Sequence, residues 1–220
     1  MENGTYPRSC VDCGIYNCKN RTASYPEFCP TAGASAEMLD EVARLYTEDE
    51  ENSRVAVASA EVEGEFYGRY TRVEEIMAFA RKIGARKIGI ATCVGLIEES
   101  RTFTKILRRN GFEVYGAVCK AGAMDKTDIG VDPQYTCQTG NAMCNPILQA
   151  RLLNEAQTQL NVVVGLCVGH DSLFYKYADA LCTTLITKDR VLGHNPAAAL
   201  YQAKAYYKRL LNEPVVSWED

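Results

Sequence analysis

Hydrophobic residues between positions 35 and 84 recur at intervals of three and four, which predicts amphipathic helices. The clearest of these helices carries Met38, Leu39, Val42, Leu45 and Tyr46 on one face. The alanine-rich segment Val55–Val62 predicts a shorter second helix. Thr71 and Glu74 have the spacing of a capping box, so a third helix is expected to begin there, and Gly84 is suited to end it.

From Lys87 onward, short apolar runs alternate with helical patterns. The predicted strands are Lys87–Thr92, Glu113–Val118, Val162–Leu166 and Ala180–Ile186. The predicted helices are Ile97–Asn110, one opened by Asn145 and Pro146, Ser172–Ala178, and one from Asn195 toward Leu211. Such alternation is typical of parallel βαβ units. We therefore expect an α/β fold: an open, mostly parallel four-stranded sheet with helices on both faces, in the flavodoxin-like order 2-1-3-4.

The first 33 residues follow neither pattern. They contain four cysteines, three prolines and no regular apolar spacing, so burial of apolar surface alone cannot order them. A bound metal is a natural staple for such a segment. The expected organisation is a Cys-rich metal-binding segment over residues 1–33 and an α/β domain over 34–220, which begins with a helical lead-in over 35–84.

Composition narrows the functional class. The chain has 220 residues, a formal net charge of −4 and 47% hydrophobic residues, the balance of a globular protein without the basic surface that nucleic-acid binding needs. Neither a secretory signal nor a stretch long enough to span a bilayer is visible, so we expect a cytoplasmic protein without membrane contact. Because the cytosol keeps thiols reduced, the ten cysteines favour metal binding or catalysis over disulfides.

Three cysteines follow the carboxyl ends of predicted strands: Cys93, Cys119 and Cys167. A glycine comes two or three residues after each of them: Gly95, Gly122 and Gly169. In the order 2-1-3-4 these strands are neighbours, and ligands of open α/β sheets bind at this edge. The thiolates are therefore expected to converge on one inorganic centre, with the glycines letting backbone N–H groups approach it.

Other residues can complete that site. Cys144 directly precedes a predicted helix start, where the helix dipole favours the thiolate, and Cys137 in the same long loop is the alternate fourth ligand. His170 follows Cys167 closely and is the catalytic candidate, as a proton donor, a further ligand or a partner of a ligand. Cys182 lies within the fourth strand and is interpreted as a core residue. The loop over residues 119–145 is long for a compact domain and suggests an active-site cover.

All-sulfur surroundings suit zinc or an iron–sulfur cluster. Ligands that come singly from separate strands favour a wide centre, so we expect an iron–sulfur cluster of the 4Fe–4S type at the sheet edge. The N-terminal quartet has the short spacings of a metal site, and there zinc and a cluster both stay open. It consists of Cys10, Cys13, Cys18 and Cys29.

Three stretches together resemble an uncharacterised protein family. They are Cys10-x-x-Cys13-Gly14 with its two later cysteines, Ala91–Leu96 (ATCVGL) and Gly165–Ser172 (GLCVGHDS). Members of that family are described as predicted metal-binding proteins of anaerobic bacteria and archaea that carry a domain of unknown function. The resemblance spans essentially the whole chain and implies metal binding, but it names no reaction.

The leading hypothesis is a redox protein with iron–sulfur clusters at the N-terminal quartet and at the sheet edge, serving a redox partner protein or a small-molecule substrate. One alternative is a sulfur-transfer or desulfurating enzyme, in which a cluster held by three cysteines leaves one iron open. The other is a zinc-stapled α/β binding module or enzyme, in which a strand-end thiol acts as a nucleophile activated at a helix N-terminus. Whether the chain is an enzyme is left open by these patterns.

Overall fold

The computed structural model describes residues 6–20 and 24–216. Residues 1–5 and 21–23 of the predicted Cys-rich segment lie outside the described residues. The chain divides into two compact units, Met1–Glu61 and Val62–Asp220. In the described part of the chain, no helix combines the length and the apolar character needed to cross a bilayer.

The first unit is helical. It begins with a 3₁₀ turn at Cys10–Asp12, followed by helices α1 (Asn17–Asn20), α2 (Pro30–Gly33) and α3 (Ala36–Thr47), and it contains the start of α4 (Glu50–Phe66). Ser35 caps α3, because its hydroxyl accepts a hydrogen bond from the Met38 N–H at 3.2 Å. Helix α4 is longer than the predicted Val55–Val62. The Asp49 carboxylate accepts from the Asn52 N–H at 2.8 Å, so the helix starts earlier than its apolar residues indicate.

The second unit contains the sheet. After α5 (Arg72–Lys82) it runs through β1 (Lys87–Thr92), α6 (Ile97–Arg109), β2 (Glu113–Val118), α7 (Pro146–Glu155), β3 (Leu160–Val164), α8 (His170–Tyr177), β4 (Leu181–Ile186), α9 (Ala197–Tyr201) and α10 (Arg209–Asn212). The four strands are parallel and lie in the order β2-β1-β3-β4. The predicted fold class and strand order are confirmed.

Helices cover both faces of the sheet. Ala91 of β1 belongs to a buried cluster that includes Ala150 and Leu153 of α7. The next residue, Thr92, receives a 2.6 Å hydrogen bond from Ser100 of α6. Because successive strand residues point to opposite faces, α6 and α7 lie on opposite sides of β1.

Local signals place most helix ends. Thr71 and Glu74 form the predicted capping box of α5, and the Asn145 side chain caps α7 by accepting from the Leu148 N–H at 3.0 Å. The end of the chain differs from the sequence prediction, which was one continuous helix after Asn195. The structure has the short helices α9 and α10 with turns between them. Side chains such as Tyr201 and Tyr206 are exposed there, so little apolar burial supports a longer helix.

Candidate functional site

A pocket of about 410 Å³ lies at the carboxyl end of the sheet, where strand order reverses. Four thiols and one imidazole line it: Cys93, Cys119, Cys144, Cys167 and His170. We call this site the thiol pocket. The structure thus brings together the three strand-end cysteines, one of the two proposed fourth ligands and the catalytic candidate.

The sheet ladder positions two of these thiols. It continues one step past the last paired strand residues, because the Cys119 N–H donates to the Thr92 carbonyl at 2.8 Å and the Cys93 N–H donates to the Val164 carbonyl at 3.1 Å. Cys93 and Cys119 are 7% and 2% exposed and belong to the buried core cluster. Their sulfurs are therefore held at the floor of the pocket by backbone that has little freedom to move.

A buried glutamine ties the ends of the two strands together. The Gln149 amide donates to the Thr92 carbonyl at 3.1 Å and to the Ala117 carbonyl at 2.7 Å. Thr92 directly precedes Cys93, and Ala117 lies two residues before Cys119. Gln149 is fully buried on α7, so this bridge fixes the spacing of the two thiols from below the pocket.

Cys144 enters the pocket from the loop before α7. The N–H of the next residue, Asn145, donates to the Cys119 carbonyl at 2.7 Å, which holds the loop end against the tip of β2. Asn145 is also the N-cap of α7, so Cys144 stands at the positive end of that helix. The sequence prediction for this helix start is confirmed.

Cys144 and His170 form a thiol–imidazole pair. Hydrogen bonds with Cys119 and His170, together with the nearby Lys120 charge, lower the pKa of Cys144 to about 3. The hydrogen bond to Cys144 in turn raises the pKa of His170. His170 is the first residue of α8, two residues earlier than the predicted helix start, and it lines the pocket together with the thiols. Both shifts favour the thiolate form of Cys144 and the protonated form of His170.

Cys119 is the central member of a chain of three thiols. Its hydrogen bonds with Cys144 and Cys93, helped by burial, raise the pKa of Cys119, so this thiol keeps its proton. On its other side, hydrogen bonds from Cys119 and from the Gly95 N–H, with the charge of Lys188, outweigh burial and lower the pKa of Cys93 to about 5. These shifts favour a proton on Cys119 and thiolates at Cys93 and Cys144.

Arginine and lysine side chains that the sequence analysis did not single out complete the site. The Arg190 guanidinium donates to the Cys167 sulfur at 3.0 Å, and the Val94 N–H donates to the Cys119 sulfur at 3.3 Å. Arg190 and Lys188 follow the end of β4, which is the same sheet edge that supplies the cysteines. Both could have been predicted from the sequence if the charged residues that follow predicted strands had been considered together with the cysteines.

The long loop between β2 and α7 forms the outer wall of the pocket. Its residues Ile129, Val131, Tyr135 and Met143 contribute apolar and aromatic surface. Lys126 fastens the loop to itself, because its ammonium donates to the Thr139 hydroxyl at 2.6 Å and to the Gly140 carbonyl. This position agrees with the cover that the loop length suggested.

The three glycines proposed to approach a cofactor differ in their surroundings. A Cβ on Gly95 would lie 3.9 Å from the Cys93 sulfur, so this residue packs beside one of the thiols. Gly122 has a φ of +84° and packs against Leu148, where a Cβ would lie only 2.8 Å from a methyl carbon. Gly169 has a φ of +83° and caps α8, with open space around it.

The remaining cysteines lie elsewhere. Cys137 is exposed and does not line the thiol pocket. Cys182 packs against the core, and burial raises its pKa to about 11, in keeping with its interpretation as a core residue. In the N-terminal quartet, Cys29 is buried, Cys13 is half-buried, and Cys10 and Cys18 are exposed. Within residues 6–20 and 24–216, no group of three or more His, Cys, Asp or Glu side chains is arranged to hold a single metal ion.

Comparison with known proteins identifies the family. A family model described as protein of unknown function (DUF1847) matches residues 29–185. The chain belongs to this family. It is also similar to an uncharacterized protein, MJ0455, of Methanocaldococcus jannaschii, with 49% identity over 162 residues that cover 74% of this chain and 82% of that protein. No solved structure matches the chain.

The family match includes the core of the site. All four thiols of the thiol pocket, His170 and the long loop fall inside the matched residues 29–185. The match begins at Cys29 and so leaves out the first three cysteines of the N-terminal quartet. The expected resemblance to an uncharacterised family is confirmed, and the functional argument rests on the geometry of the thiol pocket.

Proposed function

We propose that this chain is a thiol-dependent redox enzyme in which Cys144 attacks the disulfide bond of a substrate, His170 carries the proton and Cys119 is the resolving thiol. The observation that supports this most is that Cys144, His170 and Cys119 line one pocket, where both His170 and Cys119 interact with the Cys144 sulfur and lower its pKa. A nucleophile beside a base, with a second thiol in contact, is the arrangement that disulfide exchange requires.

The reaction can be written with the groups present. The Cys144 thiolate attacks a substrate R–S–S–R′, which forms a Cys144–S–S–R′ mixed disulfide and expels RS⁻, and the His170 imidazolium protonates this leaving group. Neutral His170 then takes the proton of Cys119. The Cys119 thiolate attacks the Cys144 sulfur, and R′S⁻ leaves with that proton. The substrate disulfide gains two electrons, and the protein ends as a Cys119–Cys144 disulfide, which two equivalents of a small thiol can reduce again.

The surroundings of Cys119 suit a resolving thiol. It is only 2% exposed and stays protonated beside two thiolates, so it does not compete with Cys144 for the incoming substrate. It becomes more reactive once Cys144 has lost its negative charge in the mixed disulfide, because the largest of the causes that raised the pKa of Cys119 is then gone. The order of the two attacks follows from this change.

The proposal is tested by the release of thiol from 2-hydroxyethyl disulfide, a small neutral substrate, under anaerobic conditions. Wild-type protein should release two equivalents of mercaptoethanol per chain, and Cys144→Ser should lower the initial rate at least about a hundredfold because the attacking atom is absent. Cys137→Ser, which removes an exposed thiol outside the pocket, is the matched control and should react like wild type. A Cys144→Ser protein that keeps the wild-type rate would rule the proposal out.

An iron–sulfur cluster in the thiol pocket is the second candidate. It is favoured by the four thiols that line one cavity, and by the Arg190 and Val94 N–H groups that donate to sulfur, since such hydrogen bonds tune clusters. A cluster would be held by Cys93, Cys119, Cys144 and Cys167, or by three of them with one iron open for sulfur transfer. Its ligands would have to give up the thiol–thiol interactions that shift the pKa values of Cys93 and Cys119. Iron and acid-labile sulfide in anaerobically purified protein, lost in Cys93→Ser, would favour this candidate.

The N-terminal quartet stays a separate proposal. Zinc or a cluster bound there would staple a unit of short helices, and neither is needed for the chemistry of the thiol pocket. Metal analysis of wild type beside a Cys10→Ser, Cys13→Ser variant tests it. A metal content that is unchanged in the variant would argue against this site.

A further inference from the structure

The lining of the thiol pocket contains several basic side chains. Lys120, Lys126 and Arg190 line it, and Lys188 approaches Cys93 from the side of β4. Among the residues that the structure describes, no aspartate or glutamate lines this pocket. The chain as a whole has a formal net charge of −4, so this concentration of cations is local to the site.

Two aspartates that do not line the pocket interact electrostatically with residues that do line it. Asp171 faces His170, and Asp125 interacts with Lys126. The Asp125 carboxylate is already occupied, because it accepts from the Thr127 N–H at 2.9 Å and from the Thr127 hydroxyl at 2.8 Å. The lysines and Arg190 outnumber the two thiolates, Cys93 and Cys144, so the pocket keeps an excess of positive charge.

The cationic groups keep donors for a ligand. An ammonium has three N–H donors, and Lys126 uses two of them on Thr139 and Gly140. A guanidinium has five, and Arg190 gives one to Cys167. Both side chains are held in place by these contacts, so little further ordering is needed when they bind an anion.

The rest of the lining points to a small, partly apolar molecule. Ile129, Val131 and Met143 supply carbon surface from the long loop, and the volume of about 410 Å³ lies in the usual range for small-molecule sites. Cys144, the thiol proposed to attack, is half-buried and lies inside this pocket, so its substrate has to fit the pocket volume. The substrate class is therefore set by low molecular weight, a short carbon chain and negative charge.

We infer that the thiol pocket takes a low-molecular-weight disulfide whose ends carry anionic groups such as carboxylates, held by Lys126 and Arg190 while Cys144 attacks the sulfur. This inference rests on the proposed function for its chemical step. It adds a specificity that the thiol chain alone does not give, because Cys144, His170 and Cys119 would accept neutral and cationic disulfides equally.

The test compares three disulfides of similar length at pH 7: 3,3′-dithiodipropionate, 2-hydroxyethyl disulfide and cystamine, which are anionic, neutral and cationic. Each rate is divided by the rate of the same disulfide with dithiothreitol, because leaving groups differ in intrinsic reactivity. We expect the anionic disulfide to exceed the cationic one at least about tenfold in this ratio. Equal ratios, or a preference for cystamine, would overturn the inference and leave the proposed function standing.

Lys126→Gln identifies the residue responsible. Lys126 lines the pocket but is not one of the three reacting groups, and dividing by the rate with the neutral disulfide removes any effect of the substitution that is common to both substrates. The anionic-to-neutral ratio should fall several-fold in this variant. Lys105→Gln removes the same charge from an exposed position on α6 outside the pocket and should keep the wild-type ratio. A ratio unchanged in Lys126→Gln would contradict the role of Lys126.

A binding measurement separates this inference from the redox step. Octanedioate matches 3,3′-dithiodipropionate in length and charge but has no sulfur, and 1,6-diaminohexane matches cystamine. Octanedioate should slow the alkylation of Cys144 by iodoacetamide, and the diamine should not. Protection by octanedioate without any disulfide exchange would keep the anion site and refute the proposed function, whereas exchange without selective protection would refute the anion site.

Discussion

Two groups of four cysteines in this chain differ in how their surroundings hold them. The sheet-edge thiols of the thiol pocket come from strand ends and a helix start, and they contact one another, His170 and Arg190. The N-terminal quartet comes from short turns and helices, and two of its thiols are exposed. The cysteines of the N-terminal quartet are close together in the sequence but have few contacts that hold them. The cysteines of the thiol pocket are far apart in the sequence, yet the fold brings them into one cavity.

The difference shows what topology contributes. Parallel strands deliver their carboxyl ends to one edge whatever the sequence distance between them, so 74 residues separate Cys93 from Cys167 without separating them in space. The ladder hydrogen bonds and Gln149 then fix the backbone under the thiols. The predictions that follow probe this contrast, from the largest expected effect to the smallest.

Removing the imidazole of His170 should slow the alkylation of Cys144, and the effect should be largest at low pH. His170→Gln deletes a hydrogen bond and a positive charge that lower the pKa of Cys144, so the thiolate fraction at pH 5 should fall and alkylation by iodoacetamide should slow at least about tenfold. At pH 9 the thiolate should form in both proteins, and the rates should converge. Peptide-resolved mass spectrometry measures each site, with the N-terminal cysteines as internal controls. Equal Cys144 rates at pH 5 would contradict the thiolate–imidazolium pair.

Glycines at the sheet edge should be far less replaceable than those near the N-terminal quartet. Gly165, directly after β3, has a φ of +69°, and a Cβ there would lie 1.9 Å from a Leu96 methyl carbon. Gly165→Ala should therefore cost roughly 2–4 kcal/mol of unfolding free energy. Gly14→Ala, with nothing within 4 Å, should stay within about 0.5 kcal/mol. Denaturant unfolding measures both, and equal losses would contradict the tight packing of this edge.

Breaking the glutamine bridge should loosen the thiols. Gln149→Leu leaves the Thr92 and Ala117 carbonyls without this donor and should cost about 1–3 kcal/mol, with altered Cys93 and Cys119 labelling rates. Gln159→Leu is the matched control at the opposite edge. Its exposed side chain accepts from the Arg86 and Lys87 N–H groups, so its loss should leave thiol labelling unchanged. Thiol labelling that responds equally to both substitutions would argue against the bridge.

Changes in the N-terminal quartet should have the smallest effect on the thiol pocket. The Cys10→Ser, Cys13→Ser variant and chelator-treated wild type should both release thiol from 2-hydroxyethyl disulfide within about twofold of the untreated protein, because none of the reacting groups lies in that segment. The same samples report metal content. A loss of exchange activity that tracks the loss of metal would show that the two cysteine groups work together and would favour the cluster hypothesis.

The sequence was sufficient to predict the fold and the convergence of three of the thiols that line the pocket. Apolar runs defined β1 and β2 at their observed bounds, and the strand-end positions of Cys93, Cys119 and Cys167 predicted their convergence. The sequence could not predict which thiols are in contact, because hydrogen bonds depend on side-chain rotamers and on distances of a few tenths of an ångström.

Arg190 was missed because an exposed arginine after a strand is usually an ordinary surface residue. The break between α9 and α10 was missed because helix length there depends on tertiary burial.

The central claim is that Cys144 attacks first and Cys119 resolves. Its most direct test is to treat Cys119→Ser protein with one equivalent of 2-hydroxyethyl disulfide under anaerobic conditions and to map the adduct by peptide mass spectrometry. We predict a stable mercaptoethanol mixed disulfide on Cys144, with one equivalent of thiol released instead of two. An adduct found on Cys93 or Cys167 instead, or no adduct on any thiol of the pocket, would contradict this account.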